Sequence, residues 1–364
     1  MKQKPENIQG IQILRGLAAT VVALGHSQYG AAGRLSTDFF SWDHMLGAGV
    51  DLFFVISGFI MMLVSDPASG RESTPGIFLL RRFQRIVPLY WFYTLLLVVS
   101  AILVPSLLRW TTLTPDLVFT SLFFIPSFHP VNGLVQPLLS IGWTLQYEMF
   151  FYLCFAAVLG LSLGARVVAM TVLFAGLMVL TSAIGRETAI LSFLGNPIVF
   201  EFVAGMGVYW LYCRGWVTRR AAVPIAAVAL PVVVWLVGSG TAAPLEDVLD
   251  RRWLRAVVWG VPALLVFYVG LAIHDMPGAA GRALAKLGDA SYSLYLSHVF
   301  VAAILGKGWA ALGHGPSSVF GALVVLPCCI VAALVSYSFV ERPLGAMARR
   351  AAGLLQKAPQ TRPS

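Results

Sequence analysis

Apolar stretches long enough to cross a bilayer recur along the whole chain and restrict what it can fold into. A helix needs about 20 apolar residues to cross about 30 Å of hydrocarbon. Stretches of about this length occur at residues 11–29, 46–64, 86–104, 141–160, 166–184, 194–213, 221–237, 256–273, 288–306 and 317–339. Backbone polar groups in hydrocarbon must be bonded within the protein. The pattern therefore predicts an all-α polytopic membrane protein, a bundle of about ten transmembrane helices.

The composition agrees with a membrane protein and excludes an ordinary soluble domain. Of the 364 residues, 58% are hydrophobic and 11% are charged, whereas a typical soluble domain is about 25% charged. The first apolar stretch contains Arg15 and has no small-residue cleavage pattern behind it, so we interpret it as a retained span rather than a signal peptide. The shorter apolar segment at residues 116–125 lies between two prolines and is expected to be re-entrant or interfacial.

Basic residues are distributed unevenly between alternate loops. If the N-terminus is cytoplasmic, seventeen of the 25 lysines and arginines lie on the cytoplasmic side and seven on the outer side. The positive-inside rule therefore predicts that both termini are cytoplasmic, and the net charge of +9 needs no nucleic-acid partner. We expect one integral membrane domain at residues 1–343 and a short basic cytoplasmic tail at 344–364. The segment from Glu246 to Arg255 carries both signs and is expected to be a solvated outer turn rather than a site.

The sequence gives no reason to predict a metal site or a nucleotide-binding motif. Its four cysteines all lie in apolar stretches, and none has the spacing of a metal-ligand set. The H-E-x-x-H, P-loop and G-x-G-x-x-G patterns are absent.

Two ionisable residues interrupt the first apolar stretch. Arg15 and His26 are eleven positions apart, which places them within about 20° on one helix face and about 16 Å apart along the axis. A charged group deep in a membrane costs roughly 2.5 to 3.5 kcal/mol, so such residues normally face the protein interior and serve a function. A snorkelling arginine and a histidine bonded to a neighbouring helix are the structural alternative.

Five ionisable residues fall at about one depth in the predicted outer half of the bundle, counted at about 1.5 Å of rise per residue. They are His26, Asp51, Glu148, Glu201 and His298. Taken singly, each is as consistent with a structural hydrogen bond as with function, but five at one depth favour a polar cavity. Polar and aromatic residues of the same stretches are expected to line it: Trp143, Tyr147, Ser291 and Tyr295.

Three arginines lie near the predicted cytoplasmic edge of the third span, in the segment RRFQRIVPLYW. Arg82 and Arg85 are three positions apart and share a helix face, so they can bind phosphate. By themselves these residues are better explained as a positive-inside anchor. With Arg15 on the same side and a polar cavity above, they indicate an anionic cytosolic ligand whose reactive end points inward.

A histidine with a carboxylate partner is a natural general base for activating a hydroxyl group. His26 is the candidate base and Glu148 its candidate partner, with Asp51 as a second carboxylate. His298 lies at nearly the same depth and competes for the same role. No serine or cysteine in a recognisable nucleophile elbow is present, which favours direct transfer over a covalent enzyme intermediate.

Six motifs, in order, resemble those of the membrane-bound acyltransferase 3 family, whose members acylate sugars and related acceptors on bacterial glycans. They are Arg15 with His26, GVDLFFVISGFIM, RRFQRIVPLYW, GWTLQYEMFFY, ASYSLYLSH and the closing VERP at Val340 to Pro343. Together they extend over nearly the whole membrane portion. Some family members carry a C-terminal soluble hydrolase-like domain, and we expect none here.

The resemblance implies an acyl-CoA donor, usually acetyl-CoA, and a hydroxyl acceptor on a polysaccharide or lipid-linked sugar. It also implies that CoA phosphates bind near Arg82 and Arg85, that Arg15 and His26 line the path of the acyl group, and that His26 is essential. The protein would then be a multi-pass enzyme of the bacterial cytoplasmic membrane. Two other functions fit the intramembrane ionisable residues: a proton-coupled transporter and a non-catalytic subunit of a glycan export machine.

The predicted topology can be tested by labelling single cysteines in a variant that lacks the native ones. Cysteines at Gly70 and Gln356 should react only from the cytoplasm, and a cysteine at Gly240 only from outside, because of the distribution of basic residues. Labelling of position 70 from outside would reverse the orientation and the proposed donor side.

Overall fold

The computed structural model describes residues 8–29, 43–67, 74–104, 113–239, 251–273, 276–315 and 317–357. Every regular element in these ranges is helical, and they contain one isolated β-bridge, between Phe128 and Val135. The prediction of an all-α protein is therefore confirmed.

The described residues form fifteen α-helices in sequence order. They are α1 (Gln9–Tyr29), α2 (Asp43–Val64), α3 (Pro75–Leu103), α4 (Pro115–Leu122), α5 (Trp143–Ala157), α6 (Leu163–Ile184), α7 (Ala189–Leu194), α8 (Val199–Cys213), α9 (Arg219–Ser239), α10 (Arg251–Ile273), α11 (Gly278–Asp289), α12 (Ser291–Ala311), α13 (Ser318–Phe320), α14 (Leu326–Ser336) and α15 (Arg342–Lys357). Two π-helical segments, Gly321–Val325 and Tyr337–Glu341, join the last three helices into one continuous run.

A helix occurs at each of the ten predicted spans. Among the described residues, six helical stretches are both long enough and apolar enough to cross a membrane. They are Pro75–Leu103, Leu163–Ile184, Ala189–Cys213, Arg255–Ile273, Ser291–Ala311 and Ser318–Ala352. The structure thus supports a multi-pass membrane protein, while the number ten and the side of each terminus stay predictions. Positions 70 and 240 of the labelling experiment lie outside the described residues.

The segment expected to be re-entrant or interfacial and the expected short C-terminal tail both contain helices. The segment around residues 116–125 forms α4, whose eight residues are too few to span a bilayer; Thr114 caps it by accepting a hydrogen bond from the Leu117 N–H at 3.2 Å. The expected C-terminal tail begins as α15, and the Gln84 side chain of α3 donates to the Ala348 carbonyl at 3.3 Å. The helical run therefore continues past the predicted domain boundary at residue 343.

Glycines allow α2 and α8 to pack backbone against backbone. A Cβ added at Gly58 would lie 1.9 Å from the Phe202 carbonyl oxygen, and a Cβ added at Gly205 would lie 1.9 Å from that of Val55. Helix α2 also packs against α1 and α10, and α1 packs against α11 and α12. Because α1 and α2 together carry Arg15, His26 and Asp51, this close packing positions much of the candidate site.

Arg166, which the sequence places at the start of the predicted 166–184 span, is a structural residue. Its side chain is 2% exposed and donates to the carbonyls of Leu159 and Leu161 at 2.6 and 2.9 Å, and to Ser65 at 3.0 Å. These bonds tie the turn after α5 to the end of α2.

We expect Gly58→Ala or Gly205→Ala to destabilise the protein by about 1 to 3 kcal/mol, because the added methyl group overpacks the contact between α2 and α8. Thermal unfolding in detergent would measure the effect. Gly207→Ala is the matched control, since a Cβ at Gly207 of the same helix meets no atom within 4 Å. Equal unfolding temperatures for all three variants would show that the contact does not limit stability.

Candidate active site

The contacts of the five ionisable residues divide them into three groups. His26 lies against His298, Asp51 interacts with Glu201 and Arg255, and Glu148 is bonded to Ser57 and Tyr152. The two histidines and the three carboxylates thus have different immediate partners.

The two histidines form a direct pair between α1 and α12. The Nε2 atom of His298 lies 3.0 Å from Nδ1 of His26, and the ring centres are 4.9 Å apart. Nδ1 of His298 lies 2.9 Å from the Leu294 carbonyl, and Nδ1 of His26 lies 3.2 Å from the Val22 carbonyl. His298 is fully buried and His26 is partly buried.

These contacts assign the protons when both rings are neutral. A carbonyl oxygen only accepts, so the Nδ1 atom of His298 carries the proton and its Nε2 atom accepts. The Nδ1 atom of His26 then donates to His298, and the lone pair of His26 is on Nε2. The pair therefore holds His26 in the tautomer whose Nε2 atom can accept a proton.

A second part of the candidate site is an arginine pocket between α1, α2, α3, α5 and α12. Its empty volume is about 720 Å³ including its open mouth. Arg15, Arg82 and Arg85 line it together with Glu148. Three guanidinium groups against one carboxylate make these walls net positive, as a site for an anion requires. The structure thus brings the three predicted cofactor-binding arginines together.

The arginine side chains retain hydrogen-bonding capacity. Arg15 Nη1 donates to Gln12 at 3.0 Å, and Arg85 is exposed to solvent. The Nε atom of Arg82 is buried and has no hydrogen-bond partner in the described part of the chain. A buried donor without a partner is costly, and a phosphate oxygen would supply the missing acceptor.

Glu148 lies in the arginine pocket, where Ser57 Oγ donates to its Oε1 atom at 3.0 Å. Tyr152, one helical turn further along α5, donates to the same oxygen. The sequence predicted that Glu148 orients His26; among the described contacts, His298 bonds to the His26 ring directly. A catalytic role for Glu148 stays a prediction.

Tyr295 joins the arginine pocket to the histidine pair. Its ring lines the pocket, and its centre lies 6.1 Å from that of His298. Ser291, one turn earlier on α12, also lines the pocket, and its buried hydroxyl has no partner among the described residues. The predicted cavity residues Ser291 and Tyr295 therefore lie at the pocket that contains the arginines.

Asp51 and Glu201 form a separate buried group. Arg255 Nη2 lies 3.0 Å from Asp51 Oδ2, and the guanidinium lies 5.8 Å from the Trp143 ring centre. The prediction that the segment ending at Arg255 is a solvated turn is wrong for residues 251–255, which begin α10. Asp51 is buried, and a buried charge needs a paired charge. Arg255 therefore lies on α10 against Asp51 instead of in a solvated turn. Residues 246–250 lie outside the described residues.

The remaining predicted cavity residue, Tyr147, is buried on α5 and donates to the Phe193 carbonyl at 3.2 Å. Neither Tyr147 nor Trp143 lines the arginine pocket. Sequence reasoning missed Ser57, Tyr152 and Arg255. Helical spacing could have found Tyr152, which lies four positions after Glu148, whereas Arg255 is remote in sequence from Asp51.

Comparison with known proteins gives two relatives and a family. The exopolysaccharide production protein ExoZ of Rhizobium meliloti is 37% identical over 322 residues, which cover 85% of this chain and 94% of that protein. The peptidoglycan O-acetyltransferase OatA of Listeria monocytogenes is 23% identical over 367 residues, and the match covers 93% of this chain but 56% of that protein. No solved structure matches the chain at a significant level.

The family model described as an acyltransferase domain matches residues 8–340, which include the arginine pocket, the histidine pair and nearly all of the helical bundle. The chain therefore belongs to the acyltransferase 3 family, as its motifs predict.

Proposed function

We propose that this acyltransferase transfers an acetyl group from cytosolic acetyl-CoA to a hydroxyl of an exported or cell-surface polysaccharide, within the bacterial cytoplasmic membrane. The observation that carries the proposal is a net-positive pocket whose wall residue Tyr295 lies beside His298 of the histidine pair. The names of the two relatives, one an exopolysaccharide production protein and the other a peptidoglycan O-acetyltransferase, support a glycan acceptor.

The arginine pocket suits the phosphate-bearing part of the donor. Arg82 and Arg85 share one face of α3, and Arg15 approaches from α1. Guanidinium groups bind phosphate through charge-assisted hydrogen bonds that are roughly twice as strong as neutral ones. With the phosphates held there, the thioester end extends past Tyr295 toward His26.

The proposed reaction balances without a further reactant. Nε2 of His26 takes the proton from the acceptor hydroxyl while the hydroxyl oxygen attacks the carbonyl carbon of the thioester. The C–S bond then breaks, the CoA thiolate leaves, and the proton on His26 passes to it. The products are the acyl ester and CoA thiol. His298 accepts the hydrogen bond from His26 Nδ1 throughout and stabilises the imidazolium form.

The geometry favours His26 over His298 as the base. The side chain of His298 is fully buried, whereas that of His26 is only partly buried. A general base must reach the proton that it removes. We therefore assign His298 to positioning.

We expect Arg82→Ala and Arg85→Ala each to raise the apparent KM for acetyl-CoA by roughly 10- to 150-fold, because each removes a charge-assisted phosphate contact. The kcat should change much less. Initial rates with purified protein in lipid would measure both constants. Arg81→Ala is the matched control, since Arg81 is exposed and does not line the pocket. If donor KM were the same in all three variants, the arginines would be membrane anchors only.

We expect His26→Ala to lower acetyl transfer by roughly 10² to 10⁴-fold, because general-base catalysis is lost. Binding of a non-reactive thioether analogue of acetyl-CoA should persist, and His26→Gln should not restore transfer because an amide cannot carry the proton. His314→Ala is a control, since the His314 ring stacks on Trp309 instead of joining the pair. Near-normal turnover of His26→Ala with loss in His298→Ala would assign the base to α12.

A further inference from the structure

An apolar groove lies on the opposite side of α3 and α5 from the arginine pocket. On α3, Arg82 and Ile86 line the pocket, whereas Phe83 and Val87 line the groove. Helix α5 likewise presents Glu148 to the pocket and one face, from Gln146 to Leu153, to the groove. The remaining walls come from α4, the residues that follow it and α7. The empty volume of the groove is about 1410 Å³ including its open side. The pocket and the groove therefore share two helices but are lined by different residues of those helices.

The groove has the dimensions of a single extended hydrocarbon chain. Along α3 it runs from Phe83 to Trp91, about 12 Å at the rise of an α-helix, and along α5 from Gln146 to Leu153, about 10 Å. No Lys, Arg, Asp or Glu side chain lines it in the part of the chain that the structure describes. An uncharged, apolar occupant fits these walls.

One buried polar atom in the groove has no partner. Gln146 is 1% exposed, and its Nε2 atom donates to the Ile125 carbonyl at 3.1 Å. Its Oε1 atom is buried and accepts no hydrogen bond from the described residues. The nearby indole N–H of Trp91 is already used, since it donates to the Leu122 carbonyl at 2.8 Å. The amide oxygen of Gln146, a residue that lines the groove, therefore lacks the donor that a buried acceptor needs.

The backbone after α4 is bent to form this end of the groove. Phe124 adopts a φ of +59°, a left-handed conformation that is strained for a bulky residue. Its ring packs on Tyr90 with centres 4.7 Å apart, which holds the turn in place. This turn brings the Ile125 carbonyl to the Gln146 amide, whose Nε2 atom donates to it.

We propose that the groove binds one hydrocarbon chain of a neutral lipid whose hydroxyl group donates to Gln146 Oε1. A docked transmembrane helix, from another protein or from a second copy of this chain, would not satisfy this atom through its backbone, because its N–H groups are bonded within the helix. A lipid hydroxyl supplies the donor, and its chain covers the apolar walls. The site does not depend on the acyl-transfer reaction.

The test uses the purified full-length protein in lipid, without acetyl-CoA, and two photoreactive probes. One is hexadecanol with a mid-chain diazirine, and the other is its methyl ether, which has the same chain but no donor. Mass spectrometry should locate the label in residues 83–91 and 146–153. The alcohol should label these segments roughly fivefold more than the ether, as expected for one neutral hydrogen bond, and Gln146→Leu should abolish the difference.

A second variant tests occupancy without changing the buried amide. Leu153 is 52% exposed at the rim of the groove, so Leu153→Trp should be tolerated and should reduce labelling by both probes. Leu180→Trp, at a position 51% exposed on α6 and outside the groove, should leave labelling unchanged. Equal labelling of the wild type by alcohol and ether, or normal labelling of Leu153→Trp, would overturn the proposal. Because no turnover is measured, failure here would leave the proposed reaction unaffected.

Discussion

A polar group inside this bundle must find a partner within the protein, because hydrocarbon offers none. This constraint explains the contacts of the buried ionic residues. Arg166 binds the carbonyl oxygens of a turn, Asp51 is paired with Arg255, and the two histidines bond to each other and to backbone carbonyls. The partners in the Asp51–Arg255 and His26–His298 pairs come from helices remote in sequence, so these two contacts also fix how helices pack.

Because of the same constraint, a buried polar atom without a partner indicates the chemistry of a ligand that could bind beside it. Arg82 Nε, in the arginine pocket, is a donor without an acceptor, and Gln146 Oε1, in the apolar groove, is an acceptor without a donor. The first atom suits an anionic ligand and the second a ligand with a hydroxyl. Helices α3 and α5 separate these two environments, because successive residues of a helix face in different directions.

The histidine pair combines burial with a defined proton arrangement. A single histidine in an apolar bundle would be held by whatever carbonyl it could reach. Two histidines in series, the second donating to the Leu294 carbonyl, give the first a defined tautomer and ring orientation. In the proposed reaction this arrangement replaces the carboxylate partner that the sequence suggested, and it leaves Glu148 in the pocket with the arginines.

The sequence by itself determined the membrane class, the helical fold, the family and the three arginines of the arginine pocket. Those properties depend on local patterns: apolar length, the spacing of Arg82 and Arg85 on one helix face, and motifs within single stretches.

Only the tertiary structure decided which ionisable residues meet. Depth along a helix can be counted from the sequence, but the direction in which a side chain points around the bundle depends on helix packing. His26 therefore meets His298, 272 positions away, and Asp51 meets Arg255, 204 positions away, because contacts as close as that between Gly58 and Phe202 set the rotation and spacing of the helices.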